Sequence, residues 1–230
     1  MKTSEQESIG GANMARRSFL RYAGLGVASA GLLATAACHK DHKVIVGGGI
    51  DIGAKGDLAI LNYAYALEQL EAAFYIQVIT TPYSGMTSDE RALLTSIRDH
   101  EILHREFFKA ALGGNAIPAL TTDFSTIDFT KKAAVLGAAK AFEDTGVKAY
   151  DGAGYLIKDA GYLTIAGKIV SVEARHAALI SNMLMAGSFA ADDQVDSNGL
   201  NKSATIAEVL PIANTYLKTK VSASNYSYTA

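Results

Sequence analysis

Apolar side chains recur at spacings of three and four residues through long stretches of the chain from Asp57 onward. This period places the apolar residues on one face of an α-helix, so each stretch predicts an amphipathic helix that packs against others. Only 3 of the 230 residues are proline, which leaves long helices uninterrupted. The pattern predicts an all-α fold, with helices over about 57–79, 88–112, 131–151, 162–186 and 205–218.

The connections between the predicted helices indicate their arrangement. The first connection is short, whereas the second, at about 115–130, is long and contains Pro118. A long second connection can run the length of a four-helix bundle and cross from one end to the other. We therefore predict a four-helix bundle over 57–220, with a long crossover between helices 2 and 3, a short C-terminal helix outside it and a tail at 221–230.

Composition excludes two classes of function. The formal net charge is -2, whereas nucleic-acid-binding proteins usually carry a clustered excess of Lys and Arg. The single cysteine, Cys38, excludes an internal disulfide and any CxxC metal or redox motif. The length suits one domain of ordinary size. We therefore expect no nucleic-acid partner.

The N-terminal segment has the features of an export signal. Arg16 and Arg17 are followed by the sequence SFL and by a stretch, ending at Ala37, that consists mostly of Ala, Gly, Leu and Val. That stretch is too short and too rich in Gly and Ala for a membrane span. Paired arginines in this setting resemble the twin-arginine signal of bacterial export. We predict that residues 1–37 are a signal peptide and that the protein reaches the periplasm or cell envelope.

Two sites of maturation fit the end of this signal. The sequence TAAC at 35–38 resembles a lipobox, in which the cysteine is acylated and becomes the new N-terminus. Thr35 departs from the usual Leu, Val or Ile, and Ala34-Thr35-Ala36 serves equally well as a soluble cleavage site. Cys38 is therefore either a lipidation site, which would be the one link to a membrane, or a free thiol behind a cleavage after Ala36. We slightly favour lipidation.

Residues 38–56 are predicted to form a tether, although they contain a glycine-rich sequence. KVIVGGGI at 43–50 looks like the first strand and glycine turn of a dinucleotide-binding fold. The third glycine of that motif would be needed at position 52, which is Ile52. No second strand follows, because the chain becomes helical from Asp57. We therefore do not predict a nucleotide site.

Each of the four long predicted helices carries a glutamate in its apolar face, and two of these are followed by a histidine three residues later. A buried charge costs several kcal/mol unless it is paired or binds a metal. Residues three apart in a helix project from one face, so each Glu-x-x-His can present an oxygen and a nitrogen to one point. The set predicts a site for two metal ions, formed by Glu68, Glu101, His104, Glu143, Glu173 and His176.

At these positions the chain resembles a known family. The segments are LNYAYALEQLEAAFY at 61–75, DHEILHREFF at 99–108, AFEDTGVKAY at 141–150 and VEARHAALI at 172–180. They are similar to the ferritin-like domain of a family that includes plant desiccation-related proteins and many exported bacterial proteins. The resemblance covers about 57–220. It implies a ferritin-like four-helix bundle with a dinuclear iron or manganese centre on the six residues named above, and it leaves the reaction open.

Several neighbours of these residues are candidates for supporting roles. Glu71 lies one turn from Glu68 and is either an additional ligand, a carboxylate behind the ligands or a surface residue; we prefer Glu68 as the ligand. Tyr75 and Tyr150 are candidates for hydrogen bonds to ligands or for core packing. His100 is next to Glu101 but about 100° away around the helix, which favours the surface or a place behind a ligand.

Two hypotheses for the function follow. In the first, two iron or manganese ions react with O2 or peroxide, in iron oxidation or peroxide detoxification, because this ligand set supports both metals. In the second, the protein is a non-catalytic envelope or stress-protection protein whose metal site is structural or degenerate. A lipidated N-terminus fits poorly with a closed iron-storing shell, so we expect at most a homodimer.

Overall fold

The computed structural model describes residues 49–53 and 56–226, so the predicted signal peptide and Cys38 lie outside the described residues. The all-α prediction is confirmed, and the described helices are α1 (Asp57–Thr80), α2 (Ser88–Leu112), α3 (Lys132–Ala153), α4 (Ala160–Leu184) and α5 (Ile206–Asn214). None of the helices in these residues is long and apolar enough to cross a membrane.

Local sequence explains where most of the helices begin. Thr87 and Glu90 form a capping box at the start of α2, in which each side chain accepts a hydrogen bond from the other residue's backbone N–H. Thr205 and Glu208 form the same arrangement before α5. At the other end of α2, Gly113 takes a left-handed conformation with φ of 54° that favours glycine.

Asp57 is of a residue type that often caps helices, but it does not cap α1. Gly56 occupies the capping position and makes no side-chain hydrogen bond, and Asp57 lies inside the first turn. The Asp57 carboxylate instead accepts hydrogen bonds from the backbone N–H groups of Lys158 and Asp159, at 2.9 and 2.8 Å. Asp57 therefore fastens the start of α1 to the loop between α3 and α4, a contact that local sequence does not reveal.

α1 is the central helix of the bundle. It packs along α2 and against α3, and 18 of its 24 residues are buried. The second close helix pair is α3 with α4, while α5 packs outside against α3. Residues 59–72 of α1 are all buried, so any polar side chain on that part of the helix must find a partner inside the protein.

The segment between α2 and α3 runs along α1 and forms the predicted long crossover. Near the start of α1, Asn62 accepts a hydrogen bond from the N–H of Ile117 at 2.9 Å. Further along, Gln69 accepts one from the N–H of Leu120 at 2.8 Å. The crossover ends beside the α1–α2 turn, where the N–H of Ser84 donates to the Thr130 carbonyl at 3.1 Å. Buried side-chain amides of α1 thus hold the crossover in place.

A two-stranded parallel sheet joins segments from outside the bundle. β1 (Ile50–Asp51) pairs with β2 (Val221–Ser222). Ile52 follows β1 and is 1% exposed, and its carbonyl accepts a hydrogen bond from Asn62. The last residues of the segment expected to be a tether, and the first residues of the expected tail, therefore pack against the bundle.

Gly152 tests how the segment that precedes α5 packs against α3. A Cβ atom on Gly152, inside α3, would lie 1.9 Å from the backbone carbonyl oxygen of Ala204. We expect Gly152→Ala to lower the free energy of unfolding by about 1–3 kcal/mol, because backbone must move to relieve the clash. Urea denaturation measures the change. The control is Gly137→Ala in the same helix, where a Cβ meets nothing within 4 Å, and which we expect to be neutral or stabilising. Equal effects of the two substitutions would contradict the packing.

Candidate metal centre

The four long helices each bring one glutamate to the middle of the bundle. Glu68 lies on α1, Glu101 on α2, Glu143 on α3 and Glu173 on α4, and none of the four has exposed surface. His104 and His176, one turn after the glutamates of α2 and α4, are also buried. The structure therefore brings together all six residues that the sequence singled out.

The six side chains form two overlapping groups. One group contains Glu68 and His104, the other contains Glu143 and His176, and Glu101 and Glu173 belong to both. Within each group the potential ligand atoms all lie within 4.8 Å of one another. This grouping suits two cations that share Glu101 and Glu173, each with one further glutamate and one histidine. Sequence reasoning had left open which glutamates would bridge.

Each histidine lies closer to the glutamate of the opposite helix than to that of its own. His104 Nδ1 is 2.7 Å from Glu173 Oε1 and 3.7 Å from Glu101 Oε2. His176 Nδ1 is 2.8 Å from Glu101 Oε1 and 3.6 Å from Glu173 Oε2. The Nδ1 atoms thus face the inside of the cluster, and α2 and α4 are joined through it.

Most polar atoms that face the cluster have no hydrogen-bond partner. Despite the short separations, the geometry at six carboxylate oxygens and at both Nδ1 atoms does not meet hydrogen-bond criteria. An unpaired buried polar group is costly, and here eight of them converge. Carboxylate oxygen and imidazole nitrogen are ligands that suit iron and manganese. The residues present therefore fit a pair of such ions, which would supply the missing partners.

Two tyrosines hold the outer oxygens of the unshared glutamates. The Tyr75 hydroxyl donates to Glu143 Oε1 at 2.5 Å, and the Tyr150 hydroxyl donates to Glu68 Oε1. Burial, and then the neighbouring carboxylate, raises the pKa of each phenol well above its ordinary value, so both remain donors. Each tyrosine fixes one oxygen of its glutamate and leaves Oε2 directed at the cluster.

His100 lies behind His176. Its Nδ1 is 2.9 Å from His176 Nε2, and the two rings are nearly parallel. Burial and the neighbouring His176 lower the pKa of His100, so its ring is neutral and can accept a hydrogen bond. When His176 Nδ1 faces a cation, its Nε2–H donates to His100, which fixes the tautomer and the ring orientation. The place behind a ligand is one of the two that the sequence had favoured.

Glu71 is buried but belongs to neither group. Burial first, and then the charges of Glu101 and Glu173, raise its pKa well above the ordinary value, so this carboxyl group is neutral. Its Oε1 lies 2.9 Å from where a Cβ would be on Gly146. Gly146 therefore provides the space that Glu71 occupies. In the sequence, the only sign of this contact is a glycine inside a predicted helix. Glu68 is in the cluster, and its role as the ligand stays a prediction.

The cluster without metal holds protons. Burial alone lowers the pKa of His104, but the surrounding carboxylates, Glu68 foremost, raise it well above the ordinary value. Burial also lowers the pKa of His176, but contacts with Glu101 and Glu143 raise it well above its ordinary value. Burial and the nearby Glu173 charge raise the pKa of Glu101. At neutral pH the metal-free site therefore carries protons that a cation must displace.

A comparison with protein families identifies the chain. The family model of the ferritin-like domain matches residues 56–186. The chain belongs to the ferritin-like family. The match covers more than half of the chain and includes all six residues of the cluster, from Glu68 on α1 to His176 on α4. α5 lies beyond the matched part of the ferritin-like domain. No curated protein matches the sequence.

Metal binding should depend on His100. We expect His100→Ala to weaken Mn2+ binding by about 10–100-fold, the usual cost of losing a partner that orients a ligand. Titration of the metal-free protein, with free Mn2+ followed by electron paramagnetic resonance, gives the affinity. His100→Asn, which keeps an acceptor near the position of Nδ1, should restore part of the affinity, and Lys109→Ala on the exposed side of α2 is the control. Unchanged affinity in His100→Ala would refute the role.

Metal binding should also strengthen as pH rises. Binding requires deprotonated ligands, and the raised pKa values of His104, His176 and Glu101 mean that protons leave when the metal enters. The affinity for Mn2+ should rise by about tenfold per pH unit for each proton released, and the contribution of Glu101 should end near its raised pKa of about 8. Titrations in weak buffer with a pH indicator count the protons. An affinity independent of pH would contradict the protonated state of the site.

Proposed function

We propose that this ferritin-like protein binds two iron or manganese ions and uses them in redox chemistry with O2 or peroxide. The physiological role would be iron oxidation or peroxide detoxification, in stress protection. The observation that carries the proposal is the convergence of eight buried oxygen and nitrogen atoms without a hydrogen bond, from Glu68, Glu101, His104, Glu143, Glu173 and His176. Two cations at this cluster would give these atoms partners.

Different residues of the chain would hold the metals, restrain the ligands and exclude water at such a centre. Bound iron or manganese would supply the electrons that reduce the oxidant. Glu101 and Glu173, which belong to both groups, would hold both ions, and the four carboxylates together would balance the positive charge. Tyr75 and Tyr150 restrain the outer glutamates, and their phenol groups are the closest described proton donors to these carboxylates. The enclosing helices exclude water from the reacting ions.

The proposed location follows from the N-terminal segment. A twin-arginine signal would allow the metals to be loaded in the cytoplasm before the folded protein is exported. The mature protein would then lie in the periplasm or cell envelope, attached to the membrane through an acylated Cys38 or released by cleavage after Ala36. We propose at most a homodimer and no nucleic-acid partner, in keeping with the composition.

The alternative is a non-catalytic envelope or stress-protection protein. The same observation supports it, because ions shared between α2 and α4 and bound to α1 and α3 would stabilise the bundle without any reaction. The two proposals differ in one measurable property. A structural site leaves its metals inert to oxidants, whereas a redox site consumes O2 or peroxide.

Metal content and turnover distinguish the two proposals. We expect the protein purified without oxygen to contain two redox metals per chain and to react on addition of O2 or hydrogen peroxide. Glu143→Ala removes a ligand present in only one of the two groups, so it should remove about half of the metal and most of the turnover while the protein stays folded. Glu106→Ala, an exposed glutamate of α2, is the matched control.

Three outcomes decide the matter. Two metals with turnover that is lost in Glu143→Ala support the redox proposal. Two metals without turnover, together with a large loss of thermal stability on chelation, support the structural alternative. Wild-type protein that binds no metal under any condition refutes both.

A further inference from the structure

An apolar cavity lies beside the candidate metal centre, between the first half of α1 and the ends of the other long helices. It is a small cavity, with a volume of about 30 Å3. Its walls include Leu61 and Leu67 of α1, Phe108 of α2 and Ala153 of α3. None of the described residues that line it carries a charge, and its only polar side-chain groups are the hydroxyls of Tyr63, Tyr150 and Tyr162.

Tyr150 connects the cavity to the centre. Its ring lines the cavity, while its hydroxyl donates to Glu68 Oε1. None of the six residues of the cluster lines the cavity. On the opposite side, Tyr162, Ile165 and Ala166 are only partly buried, so the cavity approaches solvent beside the start of α4. The cavity therefore lies between the partly exposed start of α4 and Tyr150, whose hydroxyl contacts Glu68 of the cluster.

The geometry points to this cavity as the binding and access site for O2, which makes O2, rather than peroxide, the oxidant of the centre. The inference rests on the proposed redox function and names the substrate of that site. Apolar cavities stay dry and take up apolar molecules such as benzene and xenon. Hydrogen peroxide must exchange its hydrogen bonds with water for contacts with hydrocarbon, at a cost of a few kcal/mol. O2 loses no hydrogen bonds there.

The cavity wall offers hydrogen peroxide few hydrogen-bonding groups to replace those of water. The hydroxyl of Tyr150 is already directed at Glu68. A second cavity, of about 40 Å3, has a different character, because Asp144, Gln194 and Asn201 contribute to its wall. That cavity is lined by Ala178, which lies on α4 like Ala166. The two cavities provide a matched pair for experiment.

Xenon tests the cavity without any metal or reaction. Crystals of the metal-free protein under xenon pressure should show the gas beside Tyr150. Ala166→Phe should displace it, because the added ring occupies the cavity. Ala64→Leu, a smaller change at another wall position, serves if the first variant folds poorly. Ala178→Phe, in the second cavity, should leave the xenon in place. Absence of xenon from the wild-type cavity would overturn the inference, whatever the centre does.

Stopped-flow oxidation of the iron-loaded protein then tests the route. Ala166→Phe should slow oxidation by O2 by roughly tenfold or more and leave oxidation by hydrogen peroxide within about twofold of wild type. Ala178→Phe should change neither rate. Equal slowing with both oxidants, or no slowing with O2, would overturn the inference. A wild-type protein that binds xenon but oxidises iron with neither reagent would instead refute the proposed function and, with it, the role given to the cavity.

Discussion

Burial of four carboxylates in one small volume is the constraint on which the rest of this structure depends. Glu68, Glu101, Glu143 and Glu173 have no exposed surface, and their mutual repulsion would oppose folding at neutral pH if nothing offset it. In the metal-free protein, bound protons reduce this repulsion, and bound cations would reduce it further. The bundle, its crossover and the supporting tyrosines are the means by which the chain keeps these charges together.

The helices and the six residues of the cluster could be predicted from sequence because both leave a periodic signal. A glutamate in an otherwise apolar face, such as Glu143, stands out where a surface glutamate would not. The long crossover was predictable from the length between α2 and α3. The preference for Glu68 over Glu71 came from helical phase, since Glu68 lies on the same face of α1 as Tyr75; Glu68 is in the cluster, and its role as a ligand stays a prediction. Helix ends agree within a few residues.

The remaining features depend on how separate helices meet, which spacing along one helix does not contain. The closeness of His104 to Glu173, across two helices, requires the relative rotation of α2 and α4. Asp57 resembles a cap by its type and position, but its carboxylate binds a loop about a hundred residues away in sequence. The apolar cavity exists because several helix ends leave space that no residue fills. These are consequences of packing.

Helices α1 and α3 are linked by two reciprocal tyrosine–glutamate hydrogen bonds. The tyrosine of each helix binds the glutamate of the other, seven residues apart in both cases, so the two helical hairpins are related by an approximate internal twofold. Two features break that symmetry, because His100 supports only His176 and the cavity adjoins only Tyr150. Two ions bound in such a frame would be inequivalent. One would be open to a gas and the other more rigidly held, so electrons and oxidant could reach the pair from different sides.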